Sequence, residues 1–256
     1  MSSPAKRKAT YQIVDAARNR LRVILFRDTI YSRGIVKPIT VFDMSVRNIF
    51  SPKATRIIRV FLVNPRKEWS ILNLSDEADM AYSYTYRLLK AMMKIGLCRK
   101  TETNRIVATN PGELLSRWAA IHDFNLLNNV RAYFSTEKSL ESLLGKLGST
   151  VDADSRYALT LHAAASLIAP YVRPSSLHIY VKGGDDMLVE RLDVQPTELG
   201  GNVYLIQPYD EGVFYATQKA QGVDLVSNVQ LYADLYNYPA RGREAAEHLR
   251  EKAIRF

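Results

Sequence analysis

The stretch NLSDEADMAYSYTYRLLKAMMKIGLCRKTETNRIVAT, residues 73–109, decides the reading of the chain. A short helix from Ser75 to Ala81 is expected to meet a longer one, Tyr84 to Ile95, across a turn at Ala81, Tyr82 and Ser83. Gly96 ends the long helix, because a left-handed C-terminal residue costs glycine least. A strand from Leu97 to Lys100 follows, TETNR turns it, and Ile106, Val107 and Ala108 return as its partner. Two helices and a hairpin at this spacing make a winged helix-turn-helix.

In the long helix, Thr85, Leu88, Leu89, Met92 and Ile95 repeat at three and four residues and face inward. Tyr84, Arg87, Lys90 and Lys94 occupy the other face, with Tyr86 between the two. The plain alternative for any one of these charges is a solvated face. Their position argues for contact with DNA: Ser83, Tyr84, Tyr86 and Arg87 lie on the first turns, the end that approaches base edges in this motif. Arg99, Lys100 and Arg105 of the hairpin are placed to meet phosphate or the minor groove.

Upstream, Ser51-Pro52 caps a helix carrying Ile57, Ile58, Phe61 and Leu62, which Asn64-Pro65 ends. Glu68 to Leu72 is expected to add a first strand to the hairpin. Downstream, Asn110-Pro111 starts a helix with Leu114, Leu115, Trp118 and Ile121, and Trp118 reads as a core aromatic. These segments bound a winged unit at 51–123. Before it, residues 1–50 hold a basic arm, an amphipathic helix from Thr10 to Phe26 and an extended stretch around Ile39, Thr40 and Val41.

After it, Asn125 to Leu147 has helical spacing, so 124–153 is expected to be a helical connector. From residue 154 the pattern is a helix (Tyr157 to Ala169), strands at 177–181, 203–206 and 212–216, and helices at 228–236 and 243–255. The expected class is α+β, a winged helix-turn-helix followed by a small α+β C-terminal domain (154–256).

The chain has 256 residues, 47% of them hydrophobic and 24% charged, enough apolar content for sizeable cores. Its net charge of +9 is unevenly placed. Residues 1–150 hold 25 Lys and Arg against 12 Asp and Glu, while residues 151–256 hold 10 against 14. The first part is therefore expected to meet a polyanion. No run of about 18 apolar residues marks a membrane span, and the basic start lacks the apolar core of a signal peptide; a cytoplasmic protein is expected.

A single cysteine, Cys98, excludes an internal disulfide and reads as a buried structural thiol. The four histidines (122, 162, 178 and 248) have no metal-binding spacing. Gly148-Ser149 with Asp152 and Asp154 superficially resembles a nucleotidyltransferase signature, but its parts lie too close together to aim at one magnesium. Gly183-Gly184-Asp185-Asp186 is better explained as a tight reversal than as a metal loop. No catalytic, cofactor or metal site is expected.

The phrases YALTLHAAASLIAPYVRP (157–174), GNVYLIQPYDEGVFY (201–215) and SNVQLYADLYNYPARGREAAEHLR (227–250) resemble the AbiEi-type antitoxins and transcriptional regulators of type IV toxin-antitoxin systems. The last is the most specific, with Gln230, Tyr232, Asp234, Leu235, Arg241, Gly242, Glu244 and Ala246 at the family spacing. The chain departs from the pattern at Asn228-Val229, where a proline is expected before the glutamine, and at His162, where glycine is common.

The resemblance implies an autorepressing DNA-binding protein whose C-terminal domain neutralises a nucleotidyltransferase-type toxin. Winged units commonly bind inverted repeats in pairs, so a homodimer is the expectation, although no heptad seam marks one. The alternative is a protein-interaction module whose winged helix is mainly a scaffold. Read physically, Asp234 and Arg241 are expected to pair between a helix and the following turn, with Gln230 bonding to backbone.

Overall fold

The structure, a computed structural model, describes residues 48–137, 139–148 and 156–256. The expected basic helix at 10–26, the extended stretch at 30–47, and Ser149, Asp152 and Asp154 lie outside the described residues.

Helix α1 (Thr55–Val63) follows a turn opened by Ser51-Pro52 and stops at Asn64, whose N–H bonds the carbonyl of Val60. Ile57, Ile58, Val60, Phe61 and Leu62 are at most 1% exposed. Helix α2 (Ile71–Glu77) begins four residues earlier than expected, because the Ser70 hydroxyl accepts from Asn73 N–H and caps it there. The strand expected at 68–72 shrinks accordingly to a single antiparallel bridge, Trp69 to Ile106.

Asp79, at φ 49°, turns the chain out of α2, and α3 (Tyr82–Lys94) starts two residues sooner than expected. It buries Thr85, Leu88, Leu89 and Met92. Ile95, expected on that inward face, is instead the C-cap residue and 48% exposed. Gly96, at φ 76°, ends the helix as its type implies. Strands β1 (Cys98–Lys100) and β2 (Ile106–Ala108) then form the antiparallel hairpin. Cys98 is buried, and desolvation pushes its thiol up to about 12. Helix α4 (Pro111–Ile121) is capped by Asn110, whose side chain accepts from Glu113 N–H.

The expected helix at 125–147 is a short helix α5 (Phe124–Leu127), a strand β3 (Asn129–Phe134) and a later helix α6 (Leu140–Gly148). The segment 124–153 is thus not a helical connector. Val130, Tyr133 and Phe134 fit helical spacing, but pairing with a strand some 70 residues downstream prevails. The expected helix at 157–169 likewise divides into β4 (Arg156–Thr160) and α7 (Leu161–Ile168). Tyr157, Ala158, Leu159 and Thr160 are all buried, and a strand covered on both faces shows no alternation to betray it.

Beyond them run β5 (Leu177–Lys182), α8 (Asp186–Leu192), β6 (Gln195–Pro196) and β7 (Val203–Gln207). The strand expected at 212–216 is a 3-10 turn, Glu211–Phe214, opened by the Asp210 side chain accepting from Gly212 N–H. The strands there are β8 (Gln218–Ala220) and β9 (Val223–Leu225). Helices α9 (Asn228–Tyr236) and α10 (Gly242–Leu249) close the chain, with a π turn at Arg250–Ile254.

Among the described residues the large sheet has the order β6-β3-β7-β5-β4-β9-β8, mixed parallel and antiparallel. Its faces are told apart within β4: the Tyr157 hydroxyl bonds the Leu147 carbonyl of α6, whereas Thr160, of opposite parity, bonds Asp234 of α9. Helices therefore cover both faces, and the class is α+β. One continuous apolar cluster runs from α1 through α4 and α9 into the sheet. At its tightest point a β-carbon on Gly242 would lie 2.4 Å from the Leu235 carbonyl oxygen, which is how α10 approaches α9 so closely.

His178 on β5 stacks on Tyr204 at 4.6 Å, and its Nε2 lies 3.1 Å from the Tyr238 hydroxyl. Burial, and secondarily His162, lowers its pKa to about 4. An unfolded histidine titrates near 6.5, so between those values the unfolded chain binds the extra proton. This contribution is complete above about pH 6.5 and is lost on acidification toward pH 4, amounting to about 3 kcal/mol. Urea unfolding of the native chain and of His178→Phe at pH 7 and pH 4.5 checks it. The native chain should lose more stability; equal losses would rule the assignment out.

Candidate nucleic-acid interface

Burying Thr85, Leu88, Leu89 and Met92 fixes which side of α3 faces solvent. Ser83, Tyr86, Arg87, Lys90 and Lys94 are exposed, with Tyr86 at 48%. Tyr84 differs: it is half-buried and packs against the core, because its position falls at the edge of the inward stripe. Tyr82, expected in the turn, stands instead on the first helical residue and is 52% exposed. Helix α3 carries Arg87, Lys90 and Lys94 and no acidic residue.

On the hairpin, Arg99, Lys100 and Arg105 are all exposed. Lys100 is held by the side chain of Asn104, at 3.0 Å, and Asn104 takes the positive φ that the tip requires. Glu68 accepts from Thr101 and Thr103, tying the tip to the chain before α2. Arg87, Lys90, Arg99 and Arg105 make no side-chain hydrogen bond or ion pair with any described residue. Their charges are available to a polyanion.

A buried polar network joins α1 to α9. Arg59, fully buried, donates through Nε to the Gln230 side-chain oxygen at 2.7 Å and through Nη1 to the Thr55 hydroxyl at 2.8 Å. Its second Nη donates to the Tyr209 hydroxyl. The guanidinium also lies over the rings of Trp118 (5.0 Å) and Tyr209 (5.7 Å).

Gln230 passes the interaction on, its amide nitrogen donating to Asp234 Oδ1 at 2.7 Å. The same oxygen is reached by His122 Nε2 at 2.9 Å and by the Tyr180 hydroxyl at 3.2 Å, while Oδ2 accepts from Thr160 at 2.7 Å. Burial raises the Tyr180 and Tyr209 hydroxyls above their ordinary values, so both remain protonated. A buried arginine and a buried carboxyl are thus tolerated because donors and acceptors surround each.

This arrangement corrects two expectations. Asp234 does not pair with Arg241, which instead donates to the Tyr171 hydroxyl and lies over its ring at 4.9 Å. Gln230 bonds Arg59 and Asp234 by its side chain rather than backbone. Arg59, His122, Thr160 and Tyr180 were not singled out from sequence. The one available signal was Arg59, a charge set among the apolar residues of α1.

A second link lies at the edge of the same helix, where Arg56 reaches Asp210 at 2.8 Å and Asp79 at 2.7 Å. The Asp210 contact is largely shielded from solvent, whereas Asp79 is nearly fully exposed and adds little. Asp185, from the glycine-rich reversal, accepts from Tyr133 and pairs with Arg131. Among the described residues no group of three His, Cys, Asp or Glu side chains is placed to hold a metal, and no helix is long and apolar enough to cross a membrane.

A family model described as transcriptional regulator, AbiEi antitoxin, type IV TA system matches residues 105–255, from the return strand of the hairpin to the π turn. No curated protein and no solved structure matches the chain.

Proposed function

We propose that this chain, which belongs to the AbiEi antitoxin family of type IV toxin-antitoxin transcriptional regulators, binds its own promoter DNA through a winged helix built from α1 to β2. The observation that carries the reading is the uncommitted cationic face: Arg87 and Lys90 on α3, with Arg99 and Arg105 on the adjoining hairpin. In this reading α3 enters the major groove by its first turns, where Ser83, Tyr86 and Arg87 meet base edges. Lys90, Lys94 and the hairpin cations Arg99, Lys100 and Arg105 neutralise phosphate. Half-buried Tyr84 supports α3 by packing against the core.

Two copies bind an inverted repeat, and the C-terminal sheet and helices receive a toxin of nucleotidyltransferase type. The Arg59 network ties α1, the first helix of the DNA-binding unit in this reading, to α9 of the toxin-facing part.

The test is binding of the purified chain to its own upstream DNA against random duplex across a salt series. Preference for the upstream fragment, weakening steeply with salt, is the expected result. Arg87→Ala should lose roughly 1–3 kcal/mol, concentrated at one base position. Lys90→Ala should weaken binding to all sequences and lower the salt slope by about one. Equal losses on upstream and random DNA for Arg87→Ala would refute its role. Equal weak binding of the native chain to both duplexes would favour the interaction module with a scaffold-only winged helix.

A further inference from the structure

We infer that Tyr82 and Tyr86 read the C5-methyl groups of thymines, so that the operator carries A·T pairs where the first two turns of α3 enter the groove. The inference rests on the DNA-binding reading above and adds the base class it recognises.

The argument starts from the side chains α3 presents. Tyr82 and Tyr86 are four residues apart and therefore share a stripe, 52% and 48% exposed, on the helical end that approaches bases. Neither hydroxyl bonds a described residue, and no described segment covers the rings. A pair of half-exposed aromatic rings is an apolar surface in want of an apolar partner. In a major groove, the thymine methyl is that partner.

The rest of the helix narrows the choice. Bidentate reading of adenine uses Asn or Gln, and reading of the cytosine amine uses Asp or Glu. Helix α3 contains none of the four. The hydrogen-bonding readers on its first turns are Arg87, suited to guanine, and Ser83, which suits any base. Discrimination beyond one guanine thus falls to the tyrosine stripe. Charge complementarity commits the occupant: the same face bears Arg87 and Lys90 and no acid, as a duplex requires.

The purified 256-residue chain is used to select its preferred duplex from a random pool. Each thymine of the selected site is then replaced, one at a time, by deoxyuridine, which removes the methyl and leaves base pairing unchanged. One or two positions should weaken binding about fourfold each, the worth of one buried methyl. At those positions Tyr82→Ala or Tyr86→Ala should bind thymine and deoxyuridine equally, while Tyr86→Phe keeps the preference. Both residues are exposed, and unchanged melting of the variants separates lost reading from lost fold.

A selected site tolerant of deoxyuridine throughout would overturn the inference and leave DNA binding standing. A pool yielding no preferred duplex would remove both.

Discussion

Asp234→Ala should destabilise the fold by about 3–5 kcal/mol, the range for breaking a buried charged cluster by removing one partner. Asp234 is 1% exposed and is the common acceptor for His122, Thr160, Tyr180 and Gln230. Alanine leaves these donors inside the protein with nothing to bond, and each unsatisfied group carries its own desolvation penalty. It also removes the acidic end of the relay that begins at Arg59, whose own acceptors, Gln230, Thr55 and Tyr209, are all neutral. Asp234→Asn, which keeps the volume and one acceptor oxygen, should lose distinctly less.

Urea unfolding measures both variants, and a loss below 1 kcal/mol for alanine would refute the network's energetic role. Arg59→Met combined with Asp234→Ala should be non-additive by more than about 0.5 kcal/mol, because Gln230 connects the two sites.

Trp118→Ala should be comparably severe, about 3–5 kcal/mol, as for other large core aromatics. Trp118 is 1% exposed on α4, the helix between α1 and α9. Its ring carries the Arg59 guanidinium on its face and meets His122 at 5.9 Å edge-on. Truncation therefore opens a cavity at the junction and strips the arginine of its aromatic support. Trp118→Phe should retain more than half of the loss. Because one core joins α1 to the sheet, the native chain should unfold from residue 48 onward in a single transition, followed by fluorescence and circular dichroism together. Separate transitions would show that the segment from α1 to α4 and the C-terminal part do not share that core.

The parts legible in sequence were those whose signals are local. The three- and four-residue spacing of Thr85, Leu88, Leu89 and Met92, the stop at Gly96 and the hairpin tip at TETNR located α3 and β1-β2 to within two residues. Asn110-Pro111 located α4. The start of α2 was missed because the helix was expected to begin at Ser75; the structure caps it with Ser70, which also places Trp69 beside Ile106. The exposed cations of the candidate interface were legible for the same reason as α3: once the apolar stripe is located, the polar face follows.

Strands β3 and β4 could not be read this way. Their apolar residues satisfy helical spacing, and what makes them strands is pairing with β7 and β5. The buried network is further still from local rules: Arg59 and Gln230 are 171 residues apart, and His122 and Asp234 are 112. The sequence alone determined the helix that faces outward, the hairpin beside it and the basic charge they carry, since periodicity, capping and turn chemistry act between neighbours. Which apolar runs became strands and which polar residues could be buried was settled by long-range packing, because the hydrogen-bond partners that make either tolerable come from distant parts of the chain.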